Sequence, residues 1–388
     1  MTISRHNTES RAAKKSMRVL LISTSYPSDS RDWRGVFIRH IVAALSRLDG
    51  VKLSVWAPPG DLPSNVEHAT SPSESRWLRR LMRANGISHI MRSGGVKGIL
   101  AMIQLLRMLG QCYRRTRDVD IYHINWLQCA IPLPDNKVPA LITVLGNDLK
   151  LLRLPLMRPL MRRTMAKRKV ILCPNAEWMH EPLARAFGDV ANVVPVSFGI
   201  DPTWFAIQRS NTTEPQRWLA VTRLTADKLG PLFEWSEPLF AESQRELHLF
   251  GPMQEGVEVP PWVNYHGAAT PEDLCNKWFP RATGLITLSR HAEGRPQVML
   301  EAMAAGLPII ASDMPAHSSI VFHGKTGLLC DSFKTYQDAL NTLGSPVTNL
   351  QYGNAAREWV RNEMGTWDAC ANRYREIYNT LLREDAGD

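Results

Sequence analysis

Short apolar runs alternate with longer amphipathic segments along most of the chain. Each run is rich in Leu or in β-branched residues, and the segments between runs are long enough for a crossover helix. Runs of this kind are typical of strands that are buried on both faces of a parallel sheet. In the first part of the chain the predicted strands are Val19–Thr24, Leu53–Ala57, Ile121–Ile124, Leu141–Val144, Val170–Cys173 and Val193–Val196.

The same pattern begins again after a linker region, Ser197–Gln216. The second set of predicted strands is Trp218–Val221, Leu247–Phe250, Val263–His266, Leu285–Leu288, Ile309–Ala311 and Leu328–Cys330. We therefore predict an α/β protein with two doubly wound, Rossmann-like domains. Because ligands bind at the carboxyl ends of the strands in such sheets, the two domains should face each other across a cleft.

The length of the chain, 388 residues, suits two domains better than one hydrophobic core. We expect a flexible tail at residues 1–16, a front domain at 17–199, a rear domain at 200–366 and a final segment at 367–388. Within the final segment, Trp367 to Leu382 has the pattern of an amphipathic helix.

Composition narrows the class of protein. Hydrophobic residues make up 44% of the chain and charged residues 21%, as in a globular protein. The best apolar run, Gly98–Gly110, is too short to span a membrane and contains Arg107. The first residues are polar and basic, without the apolar stretch of a secretory signal. We expect a cytoplasmic protein whose six scattered cysteines are reduced thiols.

The positive charge of the chain lies in its front half. Residues 1–205 contain 30 Lys and Arg against 15 Asp and Glu, whereas residues 206–388 contain 16 against 22, in agreement with the net charge of +9. A front domain this basic favours an anionic partner, such as a lipid surface, a diphosphate-linked acceptor or a nucleic acid.

The segment from Glu293 to Pro308 is predicted to form a loop, a helix and a stop. Pro296 suits the first turn of a helix, Gly306 suits the left-handed position after its end, and Pro308 prevents continuation. A helix that starts at the end of the strand Leu285–Leu288 directs free backbone N–H groups and its positive dipole end into the cleft. A diphosphate would bind there.

Two carboxylates bracket this helix start. Glu293 lies in the loop, where it would face a sugar, and Glu301 lies about one turn inside the helix, where it could accept hydrogen bonds from ribose hydroxyls. The alternative is that two surface glutamates flank an ordinary helix. The other donor-binding candidates at the helix start are Gly294, Arg295, Gln297 and Val298.

Two cations follow the first strand of the rear domain. Arg223 and Lys228 come after Trp218–Val221, next to Thr222, and so lie at the same strand-end crevice. A planar guanidinium and a mobile ammonium together suit a leaving diphosphate, which makes both residues candidates for the catalytic set with Glu293. Solvated surface charge is the alternative.

These motifs resemble family 4 of the retaining glycosyltransferases, whose members carry a Glu-x7-Glu motif in this context. Ile309–Asp313 and Gly324–Leu329 continue in the order and spacing typical of that family. The resemblance implies the GT-B fold, a final helix that crosses back to the first domain, and transfer of a hexose from a nucleotide diphosphate sugar. It also implies a front-face mechanism that needs no metal or cofactor, in which the departing diphosphate helps to deprotonate the acceptor hydroxyl.

The front domain departs from the family pattern. A family His-x-His-Trp motif is represented by His123 to Trp126, and a His-Gly-x-Asp motif by Leu145 to Asp148. The family histidine that contacts the donor sugar is thus Leu145 here, and His123 is expected to be a packed strand-end residue. The candidates for the front side of the cleft are Gly35, whose family counterpart closes over the sugar, and Asn125, Asn147 and Asp148.

Two basic stretches, Arg76–Arg83 and Met157–Lys169, interleave cations with apolar residues. In the first, Trp77, Leu78, Leu81 and Met82 share one helical face that is bordered by cations, which suits an interfacial helix on anionic lipid. A solvated domain helix is the alternative. The candidate membrane-surface residues of the two stretches are Arg76, Arg79, Arg80, Arg83, Arg162 and Arg163. We therefore expect peripheral binding at the inner face of the cytoplasmic membrane and no nucleic-acid partner.

Other functions fit the sequence less well. A nucleotide-sugar 2-epimerase of similar architecture remains an alternative, although the paired glutamates favour transfer. A non-catalytic basic module would leave the organised rear half without a role. Asp118-Val119-Asp120 has the form of a metal-binding pair but is more simply a polar loop, and no G-x-G-x-x-G motif indicates a nicotinamide enzyme. The expected acceptor is a lipid-linked or polysaccharide chain of envelope or exopolysaccharide assembly.

Overall fold

The computed structural model describes residues 16–29, 32, 34–84, 86–87, 90, 95–210, 215–291 and 293–383. Within these residues the chain forms two parallel sheets, each built from strands with the apolar pattern described above. Most of the predicted flexible tail lies outside the described residues. The prediction of two Rossmann-like domains is confirmed.

The front sheet has seven strands in the order β3-β2-β1-β4-β5-β6-β7. Its central strands are buried on both faces, and its two edge strands are only two residues long. The strands are β1 Met17–Ile22, β2 Val51–Trp56, β3 Glu67–His68, β4 Ile121–Asn125, β5 Ala140–Val144, β6 Val170–Pro174 and β7 Asn192–Val193. The helices of this part are α1 Val36–Ser46, α2 Pro72–Arg83, α3 Val96–Arg115, α4 Gly146–Leu151, α5 Met157–Met165 and α6 His180–Phe187.

The rear sheet has six strands in the order β10-β9-β8-β11-β12-β13. The strands are β8 Gln216–Val221, β9 Arg245–Phe250, β10 Val263–Tyr265, β11 Gly284–Thr287, β12 Ile309–Ser312 and β13 Gly327–Cys330. Its helices are α7 Pro202–Phe205, α8 Ala226–Leu229, α9 Leu232–Phe240, α10 Pro271–Asp273, α11 Gln297–Ala304, α12 Pro315–Ser318, α13 Phe333–Gly344 and α14 Pro346–Trp359, followed in the chain by α15 Trp367–Leu382.

Each sheet separates two apolar clusters, because successive strand residues point to opposite faces. In β1, Leu20 and Ile22 pack on one side of the front sheet, and Val19 and Leu21 pack on the other. The rear sheet has the same arrangement, with two further clusters. Both faces are therefore covered, as a doubly wound sheet requires.

Helix α15 belongs to the rear half of the sequence but packs on the front sheet. Its residues Trp367, Tyr374 and Tyr378 are part of the apolar cluster that contains Val19 and Leu21. The chain thus passes between the domains twice, and the two passages lie side by side: Ile200 forms a β-bridge with Thr366. We call these two connecting passages the hinge between the domains.

The described residues contain no helix that is both long enough and apolar enough to span a bilayer. All six cysteines are free thiols, and five of them are buried.

Candidate active site

The carboxyl edges of the two sheets face each other, and a cavity of about 190 Å³ lies between them. Both domains contribute to its lining. The front domain supplies Phe37, Trp126, Leu145, Gly146, Asn147 and Asn175, and the rear domain supplies Arg223, Lys228, His291, Glu293, Gly294, Arg295 and Gln297. All three predicted catalytic residues therefore meet in one cavity.

The centre of this site is an ion pair between the Lys228 ammonium and the Glu293 carboxylate. Lys228 is held in the short helix α8, whose first turn is capped by the Thr225 hydroxyl. The two side chains are only 10% and 20% exposed. Burial lowers the pKa of Lys228, although the Glu293 charge opposes this shift. The pair thus keeps a cation inside a poorly hydrated cleft.

Arg223 adds a second cation at the end of β8. One of its guanidinium nitrogens lies 3.4 Å from the side-chain oxygen of Gln254. Thr222, the residue before it, has its backbone N–H bonded to Phe250. The Thr222 carbonyl packs so closely on Gly251 that a Cβ on that glycine would lie 1.6 Å from the oxygen. Strand pairing therefore fixes the backbone that presents Arg223.

A histidine that the sequence analysis did not select, His291, also lines the cavity. Its imidazole is 11% exposed and lies 4.0 Å from the Asp227 carboxylate. Burial, together with the charges of Lys228 and Lys150, lowers its pKa to about 4. The ring is therefore neutral at pH 7. Its position after β11, the strand that leads to Glu293, is the signal that could have identified it.

Glu301 lies on the second turn of α11, half-buried and outside the lining of this cavity. Its carboxylate has no hydrogen-bond or ion-pair partner within the described part of the chain. Burial raises its pKa to about 7, and the neighbouring charge of Asp201 acts in the same direction. No buried cation would be stranded by its removal, so Glu301 has no ion-paired structural role among these residues.

Gly294 and Gly146 lie where the two domains touch. A Cβ on Gly146 would lie 2.3 Å from backbone atoms of Glu293 and Gly294, and a Cβ on Gly294 would lie 2.2 Å from the side-chain oxygen of Asn175. The Trp178 indole also donates a hydrogen bond of 2.8 Å to the Gly294 carbonyl. Gly294, a predicted donor-binding residue, thus also allows the front domain to pack closely against this loop.

Arg295 and Gln297, which are predicted donor ligands, direct their polar groups to the hinge. The Arg295 guanidinium donates to the Ser197 hydroxyl at 2.6 Å and lies 3.3 Å from the Met364 sulfur. The Gln297 amide donates to the Gly199 carbonyl at 2.9 Å. Both residues line the cavity, but their polar groups are directed to the linker because α11 starts against it.

Val298 is not a polar ligand either. It packs against the apolar cluster of the rear domain that contains Met299 and Leu300. As a predicted donor-binding residue, Val298 can thus contribute only its backbone N–H, in the first turn of α11.

The front-domain candidates divide into one exposed and three packed residues. Asn147 is exposed and lines the cavity. Asp148 is 1% exposed and accepts hydrogen bonds from the backbone N–H groups of Leu145 and Leu127, at 2.7 and 3.2 Å. Asp148, a predicted acceptor-side residue, therefore does not line the cavity, because its carboxylate points into the domain and caps the start of α4.

Asn125 and Gly35 are also structural. Asn125 is fully buried and donates to the Ile22 carbonyl at 3.0 Å. Gly35 precedes α1 with a φ of +74° and does not line the cavity; a Cβ there would lie 2.5 Å from the Ser25 hydroxyl. Close packing of the loop after β1 requires this glycine.

His123 is a packed residue, as expected. Its ring nitrogens lie 2.5 Å from the Tyr378 hydroxyl and 3.1 Å from the Thr143 hydroxyl. Complete burial lowers its pKa to about 3, so it fastens α15 to the front sheet as a neutral group.

Helix α2, which is predicted to lie on a membrane surface, is only partly available to lipid. Arg76, Arg79, Arg80 and Arg83 are exposed. However, Leu78, Leu81 and Met82 are 0%, 3% and 7% exposed because they pack in the front core, so the apolar face of α2 is not available to lipid. In the second stretch, Arg163 is exposed, whereas Arg162 forms an ion pair with Asp189 and donates to the Ala186 carbonyl.

Residues 219–345 match the family model described as Glycosyl transferases group 1. Among proteins with curated descriptions, the chain is 32% identical over 113 residues to D-inositol 3-phosphate glycosyltransferase of Pseudarthrobacter chlorophenolicus, covering 28% of this chain and 26% of that protein. It is 31% identical over 104 residues to N-acetyl-alpha-D-glucosaminyl L-malate synthase of Bacillus anthracis, covering 26% of this chain and 27% of that one. The matches thus span about a quarter of these relatives.

Solved structures match over nearly the whole chain. Sucrose-phosphate synthase from Thermosynechococcus elongatus has a TM-score of 0.70 at 15% identity, covering 94% of this chain and 99% of that one. HepE from Anabaena, in complex with UDP and glucose, has a TM-score of 0.63 at 13% identity, covering 94% and 100%. These likenesses establish the GT-B fold. The resemblance to glycosyltransferases that the motifs predict is thus found in the rear domain, over residues 219–345.

Proposed function

We propose that this protein is a retaining glycosyltransferase. The proposal proceeds from the match of residues 219–345 to the group 1 glycosyl transferases. The donor is a nucleoside diphosphate hexose, and the acceptor is a glycan or glycolipid held at a membrane. The observation that supports this most is the pairing of Lys228 with Glu293 at the start of α11, between the two domains.

The rear domain binds the donor. The diphosphate lies at the start of α11, where free N–H groups and the helix dipole stabilise negative charge. Lys228 and Arg223 add two cations, and the diphosphate competes with Glu293 for the Lys228 ammonium. The Glu301 carboxylate, which has no partner among the described residues, accepts hydrogen bonds from the ribose. The description of HepE with UDP and glucose supports a nucleoside diphosphate sugar as the ligand class.

Transfer takes place on one face of the sugar. The bond between the anomeric carbon and the diphosphate oxygen breaks, and the bond to the acceptor oxygen forms on the same side. The acceptor proton passes to the departing diphosphate, so no protein base is needed. Because the acceptor oxygen attacks the anomeric carbon directly, no protein nucleophile takes part. Arg223, Lys228 and the helix start stabilise the charge that develops on the leaving group, which is the role that a metal ion has in other transferases. We propose that no metal or cofactor is required.

The front domain binds the acceptor. Its excess of Lys and Arg over Asp and Glu suits a lipid-linked or polysaccharide acceptor near anionic headgroups, at the inner face of the cytoplasmic membrane. Asn147, which is exposed in the cavity, is the front-domain side chain best placed to contact the transferred sugar or the acceptor.

A thermal-shift screen of nucleoside diphosphates and their sugars tests the donor class. A ligand present at 100 times its dissociation constant should stabilise the fold by about 2.7 kcal/mol. Incubation of the stabilising sugar nucleotide without acceptor should give slow hydrolysis with the sugar configuration retained. Release of an epimerised sugar nucleotide would instead favour the 2-epimerase, and no stabilisation by any member of the screen would contradict the proposal.

A further inference from the structure

Helix α3 carries an exposed apolar stripe on its first two turns. Val96, Ile99, Leu100 and Ile103 are 73%, 56%, 60% and 54% exposed. Their spacing places them on one face of the helix. The second half of the same helix is anchored in the front core through residues such as Leu105 and Leu109. The helix is therefore held firmly while its start presents four large apolar side chains to solvent.

The sequence around this stripe is entirely free of acidic residues. From Ser75 to Arg117 it contains ten Lys and Arg and no Asp or Glu. Eight of these cations are exposed on α2 and α3, and five of them are Arg79, Arg80, Arg83, Lys97 and Arg107. We call the stripe and these five cations the docking surface.

The packing of the helices brings the two parts of the docking surface to the same end of the domain. The end of α3 meets the start of α2 through Arg115 and Glu74, whose charged groups lie 2.9 Å apart. At the other end, Arg34, in the loop between β1 and α1, donates to the Met82 carbonyl. The loop after β1 lies at the carboxyl edge of the front sheet, and so does the start of α3, because the end of that helix leads into β4. This is the edge that lines the cleft.

A second group of exposed apolar residues lies at the same edge. Leu154, Leu156 and Leu160 are 49%, 79% and 43% exposed, around the start of α5. Residues 149–176 contain eight Lys and Arg and again no Asp or Glu. Helix α5 packs in the same core cluster as α3, through Met161 and Met165. Both apolar groups thus lie on one side of the front sheet.

We propose that the docking surface binds an anionic lipid bilayer, with the apolar stripe inserted below the headgroups and the five cations in contact with them. Charge complementarity favours this occupant. A symmetric contact with the same surface of a second copy would bring cation against cation, whereas an anionic headgroup layer neutralises the cations beside the stripe. The proposal rests on the proposed function only for the arrival of the acceptor from the bilayer. Binding to lipid requires no donor and no turnover.

Sedimentation with vesicles of phosphatidylglycerol, without any sugar nucleotide, tests the proposal. The double variant Ile99→Glu/Leu100→Glu should bind at least about tenfold more weakly than the unchanged chain, because two inserted side chains become charged. Arg79→Glu/Arg80→Glu/Arg83→Glu should also bind more weakly, and what binding remains should depend less on salt. The matched control is Val347→Glu, at a residue of the rear domain that is 79% exposed; it should bind like the unchanged chain.

Three outcomes would overturn the proposal. The first is equal binding by Ile99→Glu/Leu100→Glu and the unchanged chain. The second is equal binding to phosphatidylcholine and phosphatidylglycerol vesicles. The third is a dimer in light scattering that the double variant dissociates, with no vesicle binding by either protein, which would assign the stripe to a second copy. Because turnover on a soluble acceptor is measured separately, failure of lipid binding leaves the proposed transfer reaction to its own test.

Discussion

The Trp178 indole in the front domain donates a hydrogen bond of 2.8 Å to the backbone oxygen of Gly294 in the rear domain. Gly294 follows Glu293, so this bond joins the front domain to the loop that carries the central ion pair. The relationship of these two residues makes the contact between the domains a part of the candidate active site. It also indicates how changes at the contact should separate donor binding from turnover.

Gly294→Ala should lower turnover while leaving nucleoside diphosphate binding nearly intact. The added Cβ would collide with Asn175 of the front domain, whereas the rear domain is undisturbed. A second change, Asn175→Ala, should restore part of the activity by removing the colliding atom. Steady-state kinetics and calorimetry measure the two effects.

The matched control for this experiment is Gly256→Ala, because a Cβ at Gly256 meets nothing within 4 Å. Gly256→Ala should behave like the unchanged protein. If Gly294→Ala weakened nucleotide binding as much as turnover, with no rescue by Asn175→Ala, the contact between the domains would not be what this glycine serves.

Lys228→Met should reduce the turnover number about 100-fold or more, as expected when a preorganised group that stabilises transition-state charge is removed. The control is Lys334→Met, which removes an exposed cation that is paired with Asp338. Turnover that is equal in the two variants would exclude Lys228 from leaving-group stabilisation.

Activity should persist after treatment with EDTA, because Arg223, Lys228 and the start of α11 supply the positive charge at the diphosphate. Turnover before and after dialysis against the chelator is the measurement. Activity that is lost and then restored by Mg²⁺ or Mn²⁺ would contradict the metal-free mechanism.

Donor affinity should rise with pH through about 7, the pKa to which burial raises the Glu301 carboxyl. Only the ionised carboxylate accepts charge-assisted hydrogen bonds from both ribose hydroxyls. The raised pKa of Glu301 has the opposite effect on the stability of the folded protein, which should fall as the pH rises. The folded protein holds a proton that the unfolded chain releases, so the stability contribution falls as pH rises from about 4.5 to 7.

Glu301→Gln should therefore melt at a higher temperature than the unchanged protein at pH 8, and at the same temperature near pH 4.5. At pH 8 the free energy of unfolding of the two proteins should differ by roughly 1 to 2 kcal/mol. This is less than the energy equivalent of the full pKa shift, because a half-buried carboxyl keeps part of its hydration. A pH profile of the melting temperature of both proteins, without ligand, measures it. Equal melting temperatures at pH 8 would show that the Glu301 pKa is not raised.

The sheets could be predicted from the sequence because their central strands are buried on both faces. Runs such as Leu141–Val144 contain only apolar or small residues and correspond closely to a strand. The edge strands could not be predicted in the same way. Glu67–His68 is polar and two residues long, and the predicted strand Val193–Val196 is Asn192–Val193 in the structure, since pairing at an edge depends on a single neighbour.

The site could be predicted only for side chains in the segments that come after the carboxyl ends of adjacent strands. Arg223, Lys228 and Glu293 meet as expected because β8 and β11 are adjacent in the rear sheet. Asn125 and Asp148 could not be assigned correctly, because their burial depends on contacts with Ile22 and Leu127 from other elements. Arg295 was assigned to the donor because nothing in its local sequence indicates the hinge.

The most direct test of the account is calorimetric titration of the nucleoside diphosphate into the unchanged protein and into Glu301→Ala, together with melting temperatures at neutral pH. The variant loses one or two charge-assisted hydrogen bonds of about 1.5 to 3 kcal/mol each. The account predicts affinity that is roughly 10-fold to more than 100-fold weaker, with a melting temperature that does not fall, because the carboxylate has no partner among the described residues. A large fall in melting temperature with unchanged affinity of the folded protein would contradict the ribose assignment and, with it, the donor site at α11.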